Sequence, residues 1–343
     1  MSPRRHIHRF AHVLDRQLDR RLAGRRRAGG RVVISPYHGF GRANELLVRG
    51  RVLIDKAISR ATEAEPLWRN FVNSVRRFAS EEVAGARVIA RYRDAVVETT
   101  SDDEGHFQVR LTPQEMTFDG LWHEVGLELP EYAQTAVSRA VVPSPAASFG
   151  VISDIDDTIV RTNATSLARM ATSVLFHNAK TRPPFEGVAE LYAALHRDAN
   201  PFFYVSSSPW NLYELLHDFM DLNRIPHGPM FLQDWGIDEQ TFFKSSHERH
   251  KLEQIQSLLA FYPDLPFVLV GDSGQHDPEI YLRVIQSNPG RIRAAFIRDV
   301  THDLRDRAVA SIIQASNTAG VEMLYVADSS EALVHARRLA LVG

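Results

Sequence analysis

Hydrophobic and polar positions follow three successive rhythms along the chain. Over the first 30 residues, Ile7, Phe10, Leu14, Leu18 and Leu22 recur every three or four positions. That spacing predicts an amphipathic helix over 1–30, ended by Gly29-Gly30. From 31 to 145 the period shortens. Arg31–Ser35, Leu46–Ile54, Ala86–Tyr92, Phe107–Leu111, Trp122–Leu129 and Ala136–Val142 are β-branched or alternating, as strands are. Asp102–Gly105 reads as a turn between two of them, and Leu67–Ser80 as a helix. A small β-rich, sandwich-like domain is expected, with nothing in it that resembles a catalytic site. Pro143-Ser144-Pro145 reads as a linker.

The third rhythm fills 146–343. Short apolar runs alternate with amphipathic helical stretches: Gly150–Ser153, Phe202–Val205, Pro229–Leu232, Phe267–Val270, Ala294–Ile297 and Val321–Val326. Apolar runs without alternation predict strands buried on both faces, hence a parallel sheet between two layers of helices. The expected class is α/β: a Rossmann-like parallel sheet with helices on both faces, preceded by the β-rich domain.

Composition narrows the function classes. The 343 residues carry a net charge of -2, so bulk attraction to nucleic acid is not expected. Cysteine is absent, which excludes disulfides, thiolate metal sites and cysteine nucleophiles from this sequence. No run approaches the roughly 18 consecutive apolar residues of a membrane-spanning helix. The opening residues lack the apolar core of a secretory signal, so the cytoplasm is the expected location. Charge is uneven, however: ten Arg against Asp15 and Asp19 lie between Met1 and Arg31. A basic amphipathic helix can lie on an anionic membrane surface, here the inner one; packing on its own protein is the commoner alternative.

Three strand ends carry unusual polar clusters. In an open parallel sheet, ligands bind beyond the carboxyl ends of strands. Ser153-Asp154-Ile155-Asp156-Asp157-Thr158 packs three carboxylates into four residues, which repel unless a positive group sits among them. A hard divalent cation with oxygen ligands supplies that charge. Carboxylates two residues apart can also divide labour, one attacking phosphorus and one moving a proton. A calcium loop starting at Asp154 fails, because Ile159 and Thr165 stand where Gly and Glu are needed. A purely structural Asp-rich turn is the remaining alternative for this segment alone.

Ser206-Ser207-Ser208-Pro209 follows the second apolar strand. Ser208 is expected to cap a helix with Pro209 first inside it, offering free N–H groups to an anion. Ser206 could add its hydroxyl to a phosphate oxygen, or all three serines could only cap. Gly271-Asp272-Ser273-Gly274-Gln275-His276-Asp277-Pro278 follows the fourth. Asp272 at the strand tip can reach a metal held by Asp154. Asp277 is expected as an N-cap that also steers the metal's surroundings. Lys251 is chosen as the cation for phosphoryl charge, with Lys244 the competitor, and Ser245 with Glu248 forms a capping box near it.

In combination these segments resemble the four motifs of the haloacid dehalogenase superfamily of phosphatases. Asp-x-Asp-x-Thr matches Asp154, Asp156 and Thr158; the hydroxyl after a strand matches Ser206; the lysine matches Lys251; Gly-Asp with a later acid matches Asp272 and Asp277. The resemblance is closer to the catalytic domain of the actin-patch-type phosphatidate phosphatases. It is carried by Ser153–Thr158, Tyr204–Asn211, His250-Lys251 with Ile255, and Gly271–Tyr281, and spans roughly Phe149 to Val300. That family's proline-rich tails for cytoskeletal partners find no counterpart here, so no actin link is implied.

The resemblance implies Mg²⁺-dependent, lipin-like chemistry that turns phosphatidate into diacylglycerol. It implies Asp154 as nucleophile, forming a phospho-aspartate, and Asp156 as the group that protonates the leaving oxygen. It further implies Mg²⁺ on Asp154, the Asp156 backbone carbonyl and Asp272, with Asp277 beside them. Ser206, Ser207 and Lys251 would contact phosphoryl oxygens, and Thr158 would fix the loop. The expected partner is a phospholipid with a peripheral membrane contact. A soluble phosphomonoester is the first alternative. A membrane-surface or protein-binding module with a vestigial site is the second.

Overall fold

The structure is a computed structural model, and it describes residues 30–55, 81–116, 118, 120–159, 185–197, 199–233, 244–300 and 306–343. The basic helix expected over 1–30 and the helix expected at Leu67–Ser80 lie outside the described residues.

Among the described residues, eight strands make the first sheet: β1 (Arg31–Arg42), β2 (Glu45–Asp55), β3 (Glu81–Glu82), β4 (Arg87–Tyr92), β5 (Ala95–Thr100), β6 (His106–Leu111), β7 (Trp122–Leu129) and β8 (Gln134–Val141). Their order is β3-β2-β1-β8-β7-β4-β5, with β6 also on β2. One parallel pair, β1 with β8, joins the halves into a single hydrogen-bonded sheet. Burial alternates as the sequence period demands: Val88, Ala90 and Tyr92 of β4 and Val125, Leu127 and Leu129 of β7 share one apolar cluster.

The second sheet has six strands: β9 (Gly150–Ser153), β10 (Phe202–Pro209), β11 (Met230–Gln233), β12 (Phe267–Asp272), β13 (Ile292–Arg298) and β14 (Met323–Val326). Their order is β11-β10-β9-β12-β13-β14, and every pair is parallel. The helices are α1 (Val188–His196), α2 (Tyr213–Leu222), α3 (Lys244–Phe261), α4 (Asp277–Ser287), α5 (Asp306–Thr318) and α6 (Ser329–Arg338).

Alternate strand residues enter two different cores. Val151, Tyr204 and Val270 pack with α1, α2 and α6. Ile152, Phe203 and Leu269 pack with α3 and α4. Strands buried on both faces explain why these runs are apolar without alternation. Fully burying a side chain such as Phe203 contributes about 1.5–3 kcal/mol.

The two sheets are not independent bodies. Phe40, Leu47 and Val141 of the first sheet join the core around α3 and α4, and Tyr37 joins the other. Tyr37 stacks on Trp210 with centroids 4.9 Å apart. The His38 N–H donates to the Tyr213 hydroxyl at 2.6 Å, and the Tyr262 hydroxyl donates to the Gly41 carbonyl at 3.0 Å. Strand β1 is thus the seam between them.

Candidate active site

Strand register sets the site. Tyr204 of β10 and Val270 of β12 both lie opposite Ser153, the last residue of the central strand β9. All three strands run the same way. The residues next in line therefore emerge at one rim: Asp154 and Asp156 from β9, Ser206 from β10, Asp272 from β12. Beyond Asp156 the chain turns sharply. Asp157 takes φ of 53°, a left-handed conformation that Asp tolerates better than most residues. The turn is closed by the Ile159 N–H donating to the Ile155 carbonyl at 2.9 Å.

Asp154 is 1% exposed. Its Oδ1 lies 2.7 Å from Lys251 Nζ, and Oδ2 accepts from the Thr158 hydroxyl at 3.3 Å. Lys251, from the middle of α3, is also buried and reaches Asp277 Oδ1 at 2.7 Å. Burial alone would lower the lysine pKa. The Asp154 and Asp277 carboxylates overcome that and hold it above its ordinary value. Burial pushes the Asp154 carboxyl well up, Lys251 opposes it, and the neighbouring Asp277, Asp272 and Asp156 add to the rise. A group so arranged resists ionisation until charge is supplied.

Asp156 faces differently. Its Oδ2 accepts from the hydroxyls of Ser206 at 2.7 Å and Ser208 at 3.0 Å. Burial raises its pKa, and the two serine bonds partly offset this. A carboxyl raised in this way keeps its proton to a higher pH than a free one. Asp272 Oδ1 accepts the N–H groups of Gly274 at 2.7 Å and Gln275 at 3.0 Å. Its Oδ2 is buried without a hydrogen-bond partner. Burial, then the adjacent Asp277, push Asp272 up to about 8.

These observations test a divalent cation. Carboxylate oxygens of Asp154, Asp272 and Asp277 lie within 4.8 Å of one another. An orphaned buried oxygen on Asp272 beside two further carboxylates, offset among the described residues by Lys251, fits a hard ion with oxygen ligands. Asp277 is bound to Lys251 and to the Asp272 N–H, the latter at 3.2 Å, so it supports the cluster from behind. The Asp156 carboxylate points into the serine pair, leaving only its backbone carbonyl, 3.4 Å from Gln275 Nε2, to face an ion. Raised carboxyls must lose protons to bind metal. A divalent ion held there would release protons on binding at pH 7 and bind more tightly as pH rises towards 8. Titration calorimetry in buffers of different ionisation enthalpy checks this. Heats that do not vary with the buffer would remove the proton linkage.

The structure changes three expectations. Ser208 caps no helix. Strand β10 continues through Pro209, whose partner is Gln233 of β11, and a short 3-10 turn at Trp210–Leu212 precedes α2. Strand pairing and the bond to Asp156 hold Ser208 extended, so the expected helix N-terminus is not there. Asp277 is the first residue of α4 rather than its cap, because Lys251 and the Asp272 N–H occupy both its oxygens. Ser206, finally, bonds the acid Asp156 in this state. Ser207 is buried beside it at 3% exposure. The side chains of Lys244 and Ser245, and the apolar stretch Leu167–Phe176, lie outside the described residues. Gln275 is a site residue that sequence reasoning did not single out, and Ser208 is one that it read only as a cap. Both lie inside the polar runs that drew attention, but a run alone does not say which member points inward.

Residues 149–299 match the family described as Phosphatidate phosphatase APP1, catalytic domain. The chain is 36% identical over 160 residues to Phosphatidate phosphatase APP1 of Saccharomyces cerevisiae, an alignment covering 46% of this chain and 27% of that protein. It is 28% identical over 156 residues to an uncharacterized protein of Schizosaccharomyces pombe, covering 45% and 26%. The chain thus spans about a quarter of the length of these curated relatives. Among solved structures, a carbohydrate acetylesterase from Xanthomonas citri aligns at a TM-score of 0.32 and 9% identity, covering 88% of this chain and 71% of that one. A likeness that slight carries no conclusion. The segment that holds Asp154, Asp156, Ser206, Lys251, Asp272 and Asp277, residues 149–299, belongs to the APP1-type catalytic-domain family.

Proposed function

We propose that this chain is a phosphoric monoester hydrolase that cleaves phosphatidate to diacylglycerol and phosphate, with Asp154 as nucleophile. The observation that carries the reading is the division of the two carboxylates. Asp154 is held by the Lys251 ammonium, while Asp156, two residues on, is held by two hydroxyls.

An Asp154 oxygen attacks phosphorus, and the bond from phosphorus to the glycerol oxygen breaks. Asp156 gives its proton to that oxygen, releasing the alcohol. The Asp156 carboxylate then takes a proton from a water molecule that attacks the phospho-aspartate. Phosphate leaves and Asp154 is restored. Lys251 keeps Asp154 aligned and offsets charge on the phosphoryl oxygens. Ser206 and Ser207 lie where hydroxyls can hold the phosphoryl group once substrate enters. Mg²⁺, which Asp154, Asp272 and the Asp156 carbonyl would hold, supplies further charge neutralisation when bound. The order of the four motifs along 149–299 is the ground for assigning this domain to the haloacid dehalogenase superfamily.

The lipid substrate rests on the description of the matched family and of the yeast relative, to which this chain is 36% identical over 160 residues. No helix among the described residues is long and apolar enough to cross a membrane. Contact with the cytoplasmic membrane surface is proposed as peripheral. Phosphate release from phosphatidate in mixed vesicles is expected to exceed release from soluble phosphomonoesters and to need Mg²⁺. Faster release from soluble esters would move the assignment to a soluble substrate. No release from any ester would leave the site vestigial and the proposal wrong.

A further inference from the structure

Away from the carboxylate rim, three histidines meet at the seam between the two sheets. His38 lies on β1, His217 on α2, and His227 in the segment between α2 and β11. One ring nitrogen of each lies within 4.8 Å of one from each of the others. Ring centroids are 5.0 Å apart for His38 and His217, 5.3 Å for His38 and His227, and 4.4 Å for His217 and His227.

Packing alone is a poor account of this cluster. Imidazole nitrogens cost free energy when buried without partners. Nδ1 of His38 and Nδ1 of His227 are both buried without a hydrogen-bond partner. The opposite edges of the rings are anchored. His227 Nε2 lies 2.6 Å from Asp221 Oδ1, and His38 bonds the backbone of Gly228. The second oxygen of Asp221 lies 3.6 Å from His217 Nδ1. A carboxylate or carbonyl behind a histidine fixes the tautomer and aims the other nitrogen's lone pair. Burial, then the two neighbouring histidines, lower His38 to about 3, and burial lowers His217 as well. His38 and His217 are thus biased to the neutral form, which is the form that ligates metals. Arg139 opposes a cation here, while Glu214 and Asp221 favour one.

We propose that His38, His217 and His227 bind one divalent transition-metal ion of the zinc class, which fastens β1 to α2 and to the approach to β11. Imidazole suits such ions, whereas Mg²⁺ prefers oxygen. Small side-chain rotations bring the nitrogens to the separation of about 3.4 Å implied by zinc–nitrogen bonds of about 2.1 Å. His217 and His227 keep side-chain exposures of 28% and 25%, which leaves an entry path and room for a fourth ligand. The chain then holds two chemically distinct ion sites, an oxygen site at the rim and a nitrogen site at the seam. Because α2 follows the Ser206–Pro209 strand end, the nitrogen site braces the segment that carries the serines.

The test uses the full chain, stripped with a chelator and dialysed against micromolar Zn²⁺. Bound metal is counted by elemental analysis. The wild type and the rim variant Asp154→Asn are both expected to retain one equivalent. His217→Ala and His38→Gln are expected to bind at least ten times more weakly. Zn²⁺ should raise the melting temperature of the wild type but not of the histidine variants. Circular dichroism of metal-free samples identifies a variant that fails to fold, and the conservative His38→Gln covers that case. Co²⁺ in place of Zn²⁺ should give the visible absorption of a tetrahedral nitrogen-rich site, lost in the same variants. Zn²⁺ binding that persists in both histidine variants, or that is absent from the wild type, overturns the proposal. None of these readouts measures phosphate release, so the result stands apart from the phosphatase reading.

Discussion

Asp154→Asn should reduce phosphate release by about four to six orders of magnitude, on the scale seen when a nucleophile is removed. The same variant should melt no lower than the wild type. Asn fills the same volume but cannot form the phospho-aspartate. Its neutrality also removes a charge that burial, then Asp277, Asp272 and Asp156, disfavour, against the favourable pull of Lys251. Lys251 keeps Asp277 as its partner at 2.7 Å, so no lone cation is stranded. Phosphate release and a thermal melt on one preparation decide the matter. Release within tenfold of wild type would remove Asp154 from the nucleophile's role. A melt lowered by many degrees would mean that its charge stabilises the fold, contrary to the argument from repulsion.

Lys251→Met should do the opposite to stability. The aliphatic stem is kept and the charge is lost, so Asp154, Asp272 and Asp277 face one another with no cation among them. Stranding buried charge costs about 3–5 kcal/mol. Activity should fall by at least about a hundredfold, as when one stabiliser of transition-state charge is removed. Urea unfolding in the presence of a chelator measures the stability loss. Added Mg²⁺ should recover part of it in the variant and less in the wild type, because the ion supplies the missing positive charge. Equal stability of both proteins in chelator would show that Lys251 is not what balances the carboxylates.

The strand plan was largely legible in the sequence, because burial on one or two faces writes itself into a local period. Trp122–Leu129 and Gly150–Ser153 occupy the expected spans. Strand β5 was not legible. Ala95–Thr100 buries little and alternates at the edge of its sheet, so its apolar signal is faint. The polar end of β10 was misread for a related reason. Ser208 and Pro209 carry cap chemistry locally, yet a partner strand and the Asp156 carboxylate hold them extended.

The site divides in the same way. Asp154 and Asp156 are two residues apart, and Asp272 and Asp277 five, so their chemistry could be read from neighbours in the chain. The sequence by itself determined the residue types, their order and their positions at strand ends. Only the tertiary structure decided that Asp277 clamps Lys251, that Asp156 turns to the serines, and that the β-rich sheet shares its core with the parallel one. Only it brought His38 against His217 and His227. Those contacts join segments far apart in the chain. They depend on how whole faces pack, and no local spacing of side chains specifies that.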